Sequence, residues 1–204
     1  MDEPRSTMVD VAFALVGDAL PREHRRALAE ALAPRLPWLA DTPGAGVHRI
    51  NVSAGAGRQA LLSRRSRLTL RVPREQAAAL DVLAGAEFDL GDQRLRLDGP
   101  PRPRELLPHG ALYAHVVAAR SDDELEFLAA IDAELAALGI TGRRMCGRLQ
   151  HLDDGAAVLP GYSLMLDGLS PAHALRLLES GLGPHRLWGC GLFIPHKSAA
   201  AVGS

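Results

Sequence analysis

The stretch Gly181-Leu182-Gly183-Pro184-His185-Arg186-Leu187-Trp188-Gly189-Cys190-Gly191 decides how this chain folds. Two Gly-apolar-Gly triplets flank five residues that include a histidine and an arginine. Glycine admits positive φ and lets a second backbone or a phosphate come close, so paired triplets predict a loop whose amides and cations face a ligand. Loops that cradle dinucleotides follow a strand and open a helix. Here the order is reversed. Ser170 and Pro171 suit the cap and first position of a helix running to Ser180, and residues 190–194 read as a strand. A nucleotide-binding fold therefore loses its strongest support.

Upstream of the loop, the second half of the chain reads as a repeating unit. Residues 111–117 form a strand. Residues 122–138 form a helix with Asp122, Asp123 and Glu124 in its first turn, as the helix dipole favours, and Gly139 at its C-cap. Residues 143–149 and 156–166 follow as strands around the turn Asp153-Asp154-Gly155. With the final helix and strand the order is strand, helix, strand, strand, helix, strand.

The first half gives the same order. Residues 9–16 alternate as a strand. Leu20-Pro21 opens a helix that runs through Leu36 and stops at Pro37, and Asp41-Thr42-Pro43-Gly44 is a turn. Residues 47–52 alternate as a second strand, 53–57 are a flexible link, and 67–72 are a third strand. A short helix over 73–83 leads to a hairpin of 87–90 with 94–97. Each half is thus a split βαββαβ unit of the ferredoxin-like kind. The expected architecture is α+β, with two tandem ferredoxin-like units at residues 1–99 and 105–204. Pro100-Pro101-Arg102-Pro103 is the expected stiff join.

Composition narrows the function. The 204 residues are 47% hydrophobic and 23% charged, the balance of a globular protein with material for a core. No run of about 18 uncharged apolar residues occurs, so no membrane helix is expected. The start Met1-Asp2-Glu3-Pro4-Arg5 lacks the pattern of a signal peptide, and Cys146 and Cys190, the only cysteines, fit a reducing cytoplasm. The formal net charge of −1 hides an asymmetry. Residues 1–104 carry 16 Arg against 13 acids, a surplus of three; residues 105–204 carry six Arg and one Lys against 11 acids, a deficit of four. Arginine is the cation suited to bidentate phosphate contacts and to stacking on bases.

The tandem ferredoxin-like order and the Gly181, Gly183, Gly189, Gly191 loop resemble the RAMP superfamily of CRISPR-associated RNA-binding proteins. Leu20-Pro21-Arg22-Glu23-His24, Leu36-Pro37-Trp38-Leu39 and Gly46-Val47-His48-Arg49-Ile50 bring the likeness to the repeat-processing endoribonucleases, and to their MYXAN-subtype branch. The resemblance covers nearly the whole chain. It implies a metal-independent cut within the repeats of a CRISPR precursor RNA, without a cofactor. The ribose 2′-OH attacks the adjacent phosphorus and leaves a 2′,3′-cyclic phosphate and a 5′-OH. It implies a repeat stem-loop as the partner RNA and leaves room for other subunits of a CRISPR effector complex. Many members place a histidine just after the Trp-Leu pair, where this chain has Ala40. The alternative is accordingly an inactive RNA-binding subunit that holds the repeat hairpin without cutting it.

Such a reaction needs a base for the 2′-OH, an acid for the leaving oxygen and cations for the phosphorane. Histidine suits the proton transfers. His48 is the first candidate, beside Arg49 at the beginning of a strand; His24, in the first turn of the first helix, is the second. Arg64, Arg65 and Arg67 are candidates for the scissile phosphate or the stem, and Arg143 and Arg144 serve likewise in the second unit. A solvated charge run is the alternative for each set. In the loop, the four glycines with His185 and Arg186 are expected to meet RNA. Stems are gripped through backbone and shape, because the A-form major groove is closed to side chains. The remaining histidines, among them His109, His115, His151, His173 and His196, form no metal-ligand spacing, so no metal site is expected.

Overall fold

A computed structural model describes residues 5–153 and 157–196 of the chain. In chain order the elements of the first half are β1 (Met8–Val16), β2 (Ala19–Pro21), α1 (Arg25–Leu32), β3 (Gly46–Val47), β4 (Ser53–Ala54), β5 (Gln59–Leu61), β6 (Arg67–Pro73), a 3-10 segment (Arg74–Leu83), β7 (Glu87–Leu90) and β8 (Gln93–Glu105). The second half holds β9 (Ala111–Ala118), α2 (Glu124–Ala137), β10 (Arg143–Asp153), β11 (Val158–Asp167), α3 (Pro171–Ser180), a 3-10 turn (Arg186–Trp188) and β12 (Ile194–Pro195).

The two halves build sheets of the same plan. The first has the order β3-β6-β1-β8-β7 and the second β10-β11-β9-β12. In each, the unit's first strand lies between its third and its last, and its second strand lies outermost. That is the ferredoxin-like arrangement, repeated in tandem in an α+β fold. Alternation sets the faces: Val9, Val11 and Phe13 of β1 are fully buried, while Asp10 points to the opposite side. Asp123 caps α2 by accepting from the amides of Leu125 and Glu126, and Ser170 caps α3 through His173, with Pro171 in its first turn. One core gathers around Phe13, Leu68 and Leu97, the other around Leu112, Phe127 and Leu177. Among the described residues no helix is long and apolar enough to cross a membrane.

Several segments depart from expectation, each for a visible reason. Leu20-Pro21 does not open the first helix. It ends the edge strand β2, paired with β5, where a missing N–H costs nothing, and Arg22 extends the ladder by donating to the Arg58 carbonyl at 2.7 Å. The helix consequently begins at Arg25, with His24 at its N-cap, and ends at Leu32. Residues 53–57 are not a free link, since β4 and β5 form a hairpin in a small three-stranded sheet. Residues 47–52 leave the first sheet after His48, whose amide donates to the Thr69 carbonyl at 2.8 Å. The expected join at residues 100–103 lies inside β8, with Arg102 and Pro103 opposite Ala12 and Val11. β7 pairs only with residues 93–96 of β8, so the prolines fall on an unpaired edge. The last strand is shorter than residues 190–194, and only Ile194 and Pro195 pair with β9. The expected turn at Asp154 and Gly155 lies outside the described residues.

The units are joined through a buried arginine. Arg71 of β6 is 1% exposed. Its Nε and Nη2 donate to the two oxygens of Asp10 at 2.8 and 2.9 Å, and its Nη1 donates to the carbonyls of Leu178 and Phe193 at 2.9 and 3.0 Å. Nearby, Glu179 at the end of α3 accepts from the Ser6 hydroxyl and from the amide and hydroxyl of Thr7. Removing one member of a buried ion pair strands the other, at about 3–5 kcal/mol. Arg71→Ala is expected to lower the unfolding free energy by about that amount in urea titration; a loss below about 1 kcal/mol, the scale of an exposed pair, would show that the pair does not hold the units together.

Candidate active site

The open faces of the two sheets enclose a cleft of about 410 Å³. Its first wall is built by strand register. Asp10 of β1 lies opposite Arg71 on one side and Arg104 on the other; Ala14 lies opposite Arg67 and Asp98. Arg67 and Arg104 line the cleft, joined by Arg49, Asn51 and Arg65 from the connections before β4 and β6. His115 of β9 and Ile194 of β12 contribute the second wall, and Gly189 closes one end.

His48 sits where the chain leaves β3, its side chain 13% exposed. Its Nε2–H donates to Asp10 Oδ1 at 3.1 Å. Burial alone raises the Asp10 carboxyl, but the charges and hydrogen bonds of His48 and Arg71 outweigh it and hold the group well below the ordinary carboxylate range. Asp10 is therefore a fixed anion that keeps the His48 proton on Nε2. In the neutral ring the Nδ1 lone pair is left over, and among the described residues it has no partner. Among the described residues, no carboxylate pairs with Arg49, Arg65 or Arg104. The arrangement can take a proton at one atom and neutralise an anion beside it.

The other expected residues are placed as follows. His24 is 5% exposed and lies outside the cleft lining, with Nδ1–H donating to the Pro21 carbonyl at 2.9 Å. Burial is the main cause holding its pKa below the usual value, so it is a neutral, structural group in this fold. Arg64 is exposed beyond the cleft, and its carbonyl accepts from Arg67 at 2.8 Å. Arg143 and Arg144 lie on β10, at the outer edge of the second sheet, paired with Asp167 and Asp132. Neither reaches the cleft.

The glycine loop differs most from expectation. The N–H of Gly183 donates to Glu134, those of Gly181 and Gly189 to the carbonyls of Leu177 and Arg186, and that of Gly191 to the Val116 carbonyl. These amides serve the protein rather than a ligand. A Cβ on Gly191, at φ +67°, would lie 1.8 Å from the Leu182 carbonyl; one on Gly189, at φ +77°, would lie 3.2 Å from the backbone of Val47 and of Arg49. The close approach that glycine permits is thus between protein backbones, beside the point where residues 48–52 leave the first sheet. His185 is exposed and stacks on Trp188, ring centres 4.8 Å apart. Arg186 turns inward: its Nε is buried without a partner among the described residues. Arg25 of α1 donates to the Trp188 carbonyl at 2.7 Å and so pins the loop to the first unit.

Sequence reading missed Asp10, Arg71, Arg104, Asn51 and His115. Asp10 and Arg71 did leave a signal, as single opposite charges inside the apolar alternations Val9-Asp10-Val11 and Leu70-Arg71-Val72. Among the described residues no group of three or more His, Cys, Asp or Glu is gathered to hold a metal ion.

Comparison with known proteins agrees with this fold. A model of the family described as Cas6 Crispr matches residues 9–198. The CRISPR-associated endonuclease Cas6 of Myxococcus xanthus (strain DK1622) is 35% identical over 197 residues, which cover 96% of this chain and 85% of that protein. A solved CRISPR-associated protein Cas6 superposes with a TM-score of 0.66 at 10% identity, covering 93% of this chain and all of its own. A RAMP protein described as binding different RNA substrates gives 0.65 at 14% identity, with 91% and 98% covered. Both share this fold.

The depressed carboxyl of Asp10 has a consequence for stability. A group whose folded pKa lies below its unfolded value stabilises the protein above the unfolded pKa and loses that contribution as pH falls through and below it. Unfolding free energy is expected to drop as pH falls below about 4, and Asp10→Asn is expected to flatten that acid limb. Equal acid slopes in the two proteins, followed by urea titration at successive pH values, would contradict the assignment.

Proposed function

This chain belongs to the Cas6 family, and from that premise we propose that His48, held by Asp10, moves the proton when the protein cuts the repeats of a CRISPR precursor RNA. The observation that carries the reading is the Asp10–His48 pair at 3.1 Å in a cleft lined by arginines. The protein is an endoribonuclease, and the RNA repeat is its substrate.

In the proposed reaction His48 Nδ1 takes the proton from the ribose 2′-OH. The freed oxygen attacks the adjacent phosphorus, the bond from phosphorus to the 5′ oxygen breaks, and that oxygen takes a proton from water in the open cleft. The products are a 2′,3′-cyclic phosphate and a 5′-OH. The imidazolium formed at His48 is stabilised by Asp10, which stays ionised and keeps the ring oriented. Arg49, Arg65, Arg67 and Arg104 face the phosphorane, whose added charge they offset more strongly than the ground state's. Charge compensation by four guanidinium groups supports a reaction that needs no metal ion. The same arginines account for the excess of positive charge in the first half of the chain.

A repeat RNA incubated with the protein in EDTA is expected to be cut to a cyclic phosphate. His48→Ala is expected to lower the single-turnover rate by about 10²–10⁴-fold while binding changes only several-fold. Undiminished cutting by that variant would move the proton transfer to another group. Binding without any cutting by the wild-type protein would favour a subunit that only holds the repeat.

A further inference from the structure

The second wall of the cleft carries one ring, His115, and no cation, and a row of rings extends from it along the sheet. Along β9, Leu112 and Ala114 are fully buried toward α2 and α3, while Tyr113 and His115 turn to the opposite face and are only half-buried. Tyr113 stands at the centre of a row. His115 meets it edge-on, ring centres 5.1 Å apart at 84°, and the exposed ring of His196 lies 5.5 Å away at 48°. Ile194 and Met165 lie opposite Tyr113 on the neighbouring strands, so Tyr113 is flanked on both sides by apolar residues. His115 and Ile194 also line the cleft that holds His48. The ring row therefore continues the site and is not a separate patch.

We infer that Tyr113, flanked by His115 and His196, is a platform on which one unpaired RNA base stacks beside the cut. The inference rests on the endoribonuclease reading above and gives its substrate an orientation. A nucleotide presents a charged phosphate at one end and an apolar π-face at the other. The cleft presents arginines on the first sheet and His115 on the second, with Tyr113 next to it. Phosphate toward Arg67 and Arg104, base toward Tyr113, is the placement that satisfies both walls. Ferredoxin-like sheets that bind single-stranded RNA elsewhere stack bases on exposed sheet aromatics. His115 is suited to packing against a ring rather than to gripping phosphate, because burial, and then the charges of Arg49 and Arg25, push its pKa down and keep it neutral.

The competing role for these rings is structural, since they also cover the short pairing of β12 with β9. An exchange between protein and RNA separates the two. A CRISPR repeat RNA that the protein binds is made intact, and as a set with an abasic site at each unpaired nucleotide in turn. Binding of each RNA is measured with the full chain, its Tyr113→Phe form and its Tyr113→Ala form. Tyr113→Phe is expected to match the wild type, and Tyr113→Ala to bind intact RNA about 10- to 100-fold more weakly, the stacking of one base converted at 1.4 kcal/mol per tenfold. At one abasic position the wild type and Tyr113→Ala are expected to become equal, because there is no base left to stack. If Tyr113→Ala binds intact RNA as the wild type does, or if its deficit persists at every abasic position, the platform is wrong. Binding is read apart from cutting. Failure of the wild type to cut would overturn the endoribonuclease reading, while the base coupling would still decide the platform.

Discussion

A single guanidinium, that of Arg71, fixes both the fold and the site. Burying a charge is costly unless its donors and its charge are matched. Here four hydrogen bonds do so: two to the Asp10 carboxylate in the same sheet and two to the carbonyls of Leu178 and Phe193 in the other unit. The second pair locks the end of α3 and the segment before β12 against the first sheet. The first pair keeps Asp10 ionised and pointed at His48. Geometry of the cleft and charge of the orienting group therefore come from one interaction.

From that constraint the division of labour in the cleft follows. The first unit supplies the Asp10–His48 pair and the arginines; the second supplies His115, with Tyr113 packed edge-on beside it. The glycine loop is the clamp between them. Its amides bond within the protein, Arg25 holds its Trp188 carbonyl, and Gly189 passes close to the backbone of Val47 and Arg49. Where residues 48–52 leave the sheet edge beside the loop, His48 stands at the end of a strand, turned toward Asp10.

Much of this was legible in the sequence where periodicity and capping act locally. β1, β6, α2 and α3 follow their hydrophobic patterns, and Asp123 and Ser170 cap the helices they precede. Reading failed where a distant contact overrode the local pattern. Residues 48–52 alternate like a strand, yet they leave the sheet after His48, where the loop's Gly189 packs close to the backbone of Val47 and Arg49. Residues 190–193 also look like a strand, but the Gly191 amide bonds to Val116 and the Phe193 carbonyl is engaged by Arg71. The site divides the same way. His48, Arg49, Arg65 and Arg67 could be picked by residue type, because they cluster near one another along the chain. Asp10 and Arg71 lie 61 residues apart and meet only through antiparallel register. Arg143 and Arg144 looked available until the fold supplied Asp167 and Asp132.

The central claim is that Asp10 makes His48 a base. Its most direct test is the single-turnover rate at which Asp10→Asn cuts a repeat RNA it has fully bound. An amide is nearly the same shape as the carboxylate but cannot stabilise an imidazolium by charge. The Asp10→Asn rate is expected to be lower by about 10²-fold or more with affinity little changed. A rate equal to that of the wild-type protein would contradict it.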